Sequence, residues 1–253
     1  MSFAFSIAIL GLLQAALVAL PVPRSLPAWL GWARSPWWAL IPAGSIAAVI
    51  AAIELDSDSA TWLSYLALVA VPALAAVALG LLLHGSQPGW AVAALLLFAL
   101  AWATPESLVG QASATALSGL ACIALGWLLV SVVPAYWLRL GVYAMAVLDT
   151  WFVASDLLQG PNAVLNAATP AAGLPRLQAI HFGSALMGFG DLFVAALVGC
   201  LFARSRARQL EVALLVAALA LSFDLLFFAV DELPATVPVA AALALAQWRF
   251  TEK

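Results

Sequence analysis

The chain has 253 residues, of which 66% are hydrophobic and only 8% are charged. A soluble chain carries about 25% charged residues, so this one cannot cover a water-facing surface. The formal net charge is −3 and no basic tract occurs, which sets nucleic acid aside as a partner.

Nine apolar runs are predicted, near the length of about 20 helical residues that crosses a bilayer. The first, 3–20, resembles the apolar part of a secretory signal. No Lys or Arg precedes Arg24, so it is expected to be a retained span. The second to fifth are 37–53, 61–83, 90–104 and 113–134. The sixth is 139–158. The connection 159–181, rich in Pro, Gly, Asn and Ala, is expected to lie along a surface or to form a short edge strand near a site. The seventh, eighth and ninth runs are 182–203, 210–230 and 234–249. Trp29, Trp32, Trp37, Trp38, Trp62, Trp90, Trp137 and Trp248 fall near span ends, as an interfacial aromatic belt requires. No linker separates domains. The fold class is an all-α membrane protein of nine transmembrane helices, with residues 1–253 as a single polytopic domain.

Nine spans divide the basic residues unevenly. Arg24, Arg34, Arg139, Arg204, Arg206, Arg208, Arg249 and Lys253 fall on one side, and Arg176 alone on the other. The positive-inside rule then puts the C-terminus in the cytoplasm and the N-terminus outside, in a plasma or inner membrane. Glu54, Asp56, Asp58, Glu106, Asp231 and Glu232 fall mainly on the outer side.

Four carboxylates lie within predicted spans: Asp149, Asp156, Asp191 and Asp224. A charge at mid-bilayer costs a few kcal/mol, so each needs a reason to be there. Asp149 lies ten residues past Arg139, about 15 Å along a helix. Asp191 lies nine residues into the next, antiparallel span. The two fall at similar depth, Asp156 lies nearer the outer surface, and Asp224 is intermediate. Facing carboxylates cannot both ionise at close range, so they share a proton. The ionised one can then deprotonate a water while the neutral one bonds a carbonyl oxygen. The competing reading is that each aspartate bonds Ser, Thr or backbone and supports packing.

Asp191 closes the stretch Gly188-Phe189-Gly190-Asp191, where the glycines permit close backbone approach and unusual dihedrals. The last span opens Leu233-Pro234-Ala235-Thr236-Val237-Pro238. Two prolines there remove amide donors and free carbonyls that an extended peptide can use; an ordinary helix start with proline in its first turn is the plain alternative.

Together these elements resemble the presenilin and signal peptide peptidase family of GxGD intramembrane aspartyl proteases. The family has nine spans, an aspartate on the sixth, the GxGD aspartate on the seventh, and Pro-Ala-Leu opening the ninth. Here the sixth span reads Val147-Leu148-Asp149-Thr150-Trp151-Phe152, the seventh contains Gly188 to Asp191, and the ninth opens Leu233-Pro234-Ala235-Thr236. Gly160-Pro161 also matches the presenilin pattern. The resemblance covers the C-terminal half and implies a presenilin-like fold. It makes Asp149 and Asp191 the catalytic pair, with Gly188, Phe189, Gly190, Pro234, Ala235 and Thr236 against the substrate. Leu148 stands where the family has Tyr, and Thr236 where it has Leu. A literal Pro72-Ala73-Leu74 occurs on the third span, where the family has no use for it. The expected orientation is similar to that of signal peptide peptidase. It implies transmembrane-helix or signal-peptide substrates with a cytoplasmic N-terminus.

No cofactor or metal is expected. His84 and His181 have no ligand spacing, and Cys122 and Cys200 sit in apolar runs as packing residues. Retinal is set aside because the lone lysine is Lys253. Three alternatives remain. A prepilin-type aspartyl peptidase commonly has a basic residue after GxGD, where this chain has Leu192 and Phe193. A proton- or ion-coupled transporter would use the aspartates as a relay. A scaffold would use none of them.

Overall fold

The structure is a computed structural model that describes residues 2–25, 32–55, 58–155, 164, 168, 170–171, 173–230 and 232–251. Trp29, Asp56, Asp156, Gly160, Pro161, Asp231 and Lys253 lie outside the described residues. The apolar runs are rich in Ala and Leu, strong helix formers, and most of the described residues are helical. The α-helices are α1 (Phe3–Ala19), α2 (Ile41–Leu55), α3 (Asp58–Val77), α4 (Ala93–Ala103), α5 (Leu108–Val132), α6 (Ala135–Ala154), α7 (Phe189–Phe202), α8 (Arg206–Phe223) and α9 (Val237–Thr251). Short 3-10 turns lead into α2 and α4, and another, Asp224–Phe228, continues α8.

Several ends have local causes. Ser107 caps α5 by accepting the Gly110 N–H at 3.1 Å, and Ser35 accepts from Trp37 with Pro36 in the first turn. Four helical stretches, Asp58–Leu82, Leu108–Val132, Ala135–Ala154 and Arg206–Phe228, are long and apolar enough to cross a membrane. Phe3–Ala19, Pro88–Ala103 and Phe189–Phe202 are apolar but shorter. Large apolar side chains such as Val69, Leu95, Leu96, Trp151 and Leu214 are exposed on the outside of the bundle. Such a surface suits lipid and not water, and these features together mark a membrane protein.

At the centre of the bundle is α7, buried along its length from Leu192 to Cys200 and packed against α5 and α1. Small residues allow this. A Cβ on Gly199 would lie 2.6 Å from the Leu17 and Val18 carbonyls, and one on Gly126 would lie 3.1 Å from the Leu197 backbone. Close backbone approach of this kind is how helices associate where the surroundings are as apolar as the interface. Helices α1 and α7 run in the same direction. Ser6 reaches Ser184, Gln14 reaches Asp191, and Leu17 and Val18 back onto Gly199.

The predicted seventh span is corrected. Only 189–202 is helical, and residues 182–188 belong to an antiparallel hairpin of β1 (Ala179–Phe182) and β2 (Ala185–Gly188). The hairpin closes through the two-residue turn Gly183-Ser184. Gly183 takes φ +62°, the left-handed backbone that such tight turns demand. The turn is docked by two side chains, since Gln111 accepts the Gly183 N–H at 2.8 Å and Ser6 accepts the Ser184 N–H at 3.3 Å. A short strand before the site was one of the two expectations for the preceding connection.

Candidate functional site

Asp149 continues the buried stripe of α6. Leu138, Val142, Met145 and Ala146 form one helical face, and Asp149 follows three and four residues after the last two. Its Oδ2 accepts the Thr236 hydroxyl at 2.6 Å and the Thr236 backbone N–H at 3.3 Å. Thr236 is 2% exposed and lies in the turn that opens α9. Thus the start of the last helix is tied to α6 through one carboxylate oxygen.

Asp191 sits in the first turn of α7 rather than nine residues into a helix, because the hairpin takes up the residues before it. Its Oδ2 accepts the Gly188 N–H at 3.0 Å, a carboxylate folded back on the helix start. The expectation of unusual dihedrals at the glycines is corrected. Gly188 has φ −69° and ψ 147°, and neither Gly188 nor Gly190 has positive φ. Space is what Gly188 provides instead. A Cβ there would lie 3.0 Å from Asp191 Oδ2, so any side chain presses on the carboxylate. Gly190 is less constrained, with Met145 Cε 3.9 Å from its would-be Cβ.

Asp149 and Asp191 line the same cavity of about 1070 Å³, together with Gly188, Phe189, Gly190, Ala235 and Thr236. Among the described residues, the hydrogen bonds to each carboxylate end on Oδ2. Pro234 does not line the cavity; it is buried, and its carbonyl accepts the Val237 N–H at 3.1 Å. Two more carbonyls at this helix start are also taken up. Ala235 accepts from Gln14 at 3.0 Å and Thr236 from the Ala240 N–H at 3.0 Å.

Two further polar residues reach the cavity. Gln14 was not foreseen as a site residue, although an amide in an otherwise apolar first run was the available signal. Asp224, placed at intermediate depth by sequence, also lines the cavity. Its Oδ2 is buried without a hydrogen-bond partner among the described residues, close to Gly11. The Leu74 of Pro72-Ala73-Leu74 lies on the cavity's α3 wall. Beyond the helices, His181 on β1 has its pKa lowered by partial burial and then by Arg176, against a raising effect of Glu106. Among the described residues no group of three or more His, Cys, Asp or Glu is placed to share a metal ion. No protein-family model matches this chain, and neither a curated protein nor a solved structure shows significant similarity to it.

Proposed function

We propose that this chain is an intramembrane aspartyl protease of the presenilin and signal peptide peptidase type, in which Asp149 and Asp191 activate a water to cut a transmembrane or signal-peptide helix. The observation that carries this reading is the convergence of two carboxylates, from α6 and α7, on one apolar cavity, each with Oδ2 held by hydrogen bonds. In such surroundings the pair holds one proton between them. The ionised member takes a proton from water, and the oxygen adds to the peptide carbonyl carbon. The neutral member donates its proton to the carbonyl oxygen. The resulting gem-diol collapses with cleavage of the C–N bond, and a proton passes to the departing nitrogen. No cofactor enters these steps.

Strand β2 ends at Gly188, three residues before Asp191, and pairs with β1 along one edge. Its other edge pairs with no strand among the described residues. An unwound substrate segment laid along that edge would present its backbone to the pair, as in β-strand addition. Nine spans, an outer N-terminus and a cytoplasmic C-terminus complete the reading. Cysteine-accessibility labelling of the loops checks them.

The deciding experiment is cleavage of a membrane-embedded helical reporter by purified protein in liposomes, with and without an aspartyl transition-state mimic. Turnover that survives Asp149→Asn or Asp191→Asn defeats the proposal. Asp224, on the same cavity wall with a buried oxygen, supports a second reading as a proton-coupled transporter. That reading expects proton flux across the liposome and no cleavage.

A further inference from the structure

Gln14 is 1% exposed, in the middle of the apolar helix α1. A buried amide without partners is costly, so its bonds identify its work. Nε2 donates to the Ala235 carbonyl at 3.0 Å and lies 3.5 Å from the Asp191 carbonyl. The Ala235 carbonyl belongs to the same peptide group as the Thr236 N–H, which donates to Asp149 Oδ2 at 3.3 Å. That peptide is trans, so its C=O and N–H leave one rigid plane in opposite directions. Fixing the oxygen therefore fixes where the N–H points. One amide on α1 thus touches the main chain beside both carboxylates, across 177 and 221 residues of sequence.

We propose that Gln14 is a positioning residue. It holds the Ala235–Thr236 peptide so that its N–H meets Asp149, and it ties that peptide to the Asp191 main chain. The inference rests on the proposed role of the two aspartates, but its test separates from theirs. Gln14→Met keeps the side chain's length and removes the donor. Gln14→Leu also removes the donor, and it serves as the second variant if the first fails to fold.

Amide hydrogen exchange at Thr236, read by NMR on the full chain in nanodiscs, is expected to be at least about tenfold faster in either variant. Amides in the middle of α8 should be unchanged. In the reporter assay kcat should fall about 10- to 100-fold, the range in which small displacements of reacting groups act, while KM stays within about twofold. Wild-type exchange at Thr236 in a folded variant overturns the proposal whether or not the protein cleaves anything. A raised KM with unchanged kcat also overturns it, because Gln14 would then be a substrate contact. If the wild type does not cleave, the protease reading fails, and the exchange at Thr236 still decides whether Gln14 holds the peptide.

Discussion

The two carboxylates are held by opposite means. Asp191 is fixed within its own turn, by the N–H of Gly188 three residues earlier. Asp149 is fixed by Thr236, 87 residues away, which itself stands at the start of another helix. Half of the site is therefore a local motif in which the carboxylate bond needs only α7 and its leading strand, with Gln14 reaching its main chain from α1. The other half exists once α9 has packed onto α6. Disturbances of α9 should reach Asp149 and spare Asp191, and disturbances of the hairpin should do the reverse.

Removing either carboxylate tests the premise that both halves serve one reaction. Asp149→Asn and Asp191→Asn should each abolish turnover, by at least about 10³-fold, since members of a unit that acts together fail singly. The double variant should be no worse than either single one. Additive losses in the reporter assay would mean that the two sites act separately.

The next largest effect belongs to the long-range clasp. Thr236→Val keeps the shape and loses the 2.6 Å bond to Asp149. A hydrogen bond to a charged group is worth about 1.5–3 kcal/mol, so kcat should fall about 10- to 100-fold. Thr236→Ser keeps the hydroxyl and should stay within about threefold of the wild type. A loss in Thr236→Ser with wild-type turnover in Thr236→Val would assign the role to the methyl group and break the contrast. On the local side, Gly188→Ala brings a Cβ to 3.0 Å from Asp191 Oδ2 and should cost about 3- to 10-fold in kcat. Gly190→Ala, whose Cβ would lie 3.9 Å from Met145 Cε in ordinary contact, should cost less.

The same contrast accounts for what was legible in sequence. Asp191 with its glycines is a contiguous pattern, so its surroundings could be read directly, although the glycines supply space rather than the expected dihedrals. Composition and apolar runs sufficed for a mostly helical chain with four helices long and apolar enough to span a membrane, because an apolar run needs no partner to be recognised. The hairpin start of the seventh run was missed because residues 182–188 are as apolar as a span. The Gly183-Ser184 turn was the overlooked signal. Thr236 was noted as a departure next to the substrate, but its bond to Asp149 depends on how α6 meets α9. Gln14 was missed for the same reason. A side chain that works by touching the main chain of residues 177 and 221 positions away leaves no spacing to read. Even a literal Pro-Ala-Leu misleads without packing, since residues 72–74 lie inside α3.

The smallest expected effect lies in the hairpin that leads to Asp191. His181 pairs with Leu186 across the strands, and its carbonyl accepts from Thr115 on α5 at 3.4 Å. Partial burial and Arg176 depress its pKa in the folded chain, with Glu106 opposing. The unfolded value is about 6.5. Above that pH neither state is protonated and His181 does not change stability with pH. As pH falls through 6.5 the unfolded chain takes up its proton first, so stability declines until the folded ring also protonates. Because His181 is only partly buried, solvent screening keeps the change below about 0.5 kcal/mol. Thermal unfolding in detergent between pH 7.5 and 5 should therefore show a slightly smaller decline for His181→Gln than for the wild type. Amide exchange should place the difference in β1 and β2 and leave the Thr236 amide untouched. An acid-induced change that appeared equally at Thr236 would mean the two halves of the site are coupled, and that Asp191 is not held by local structure alone.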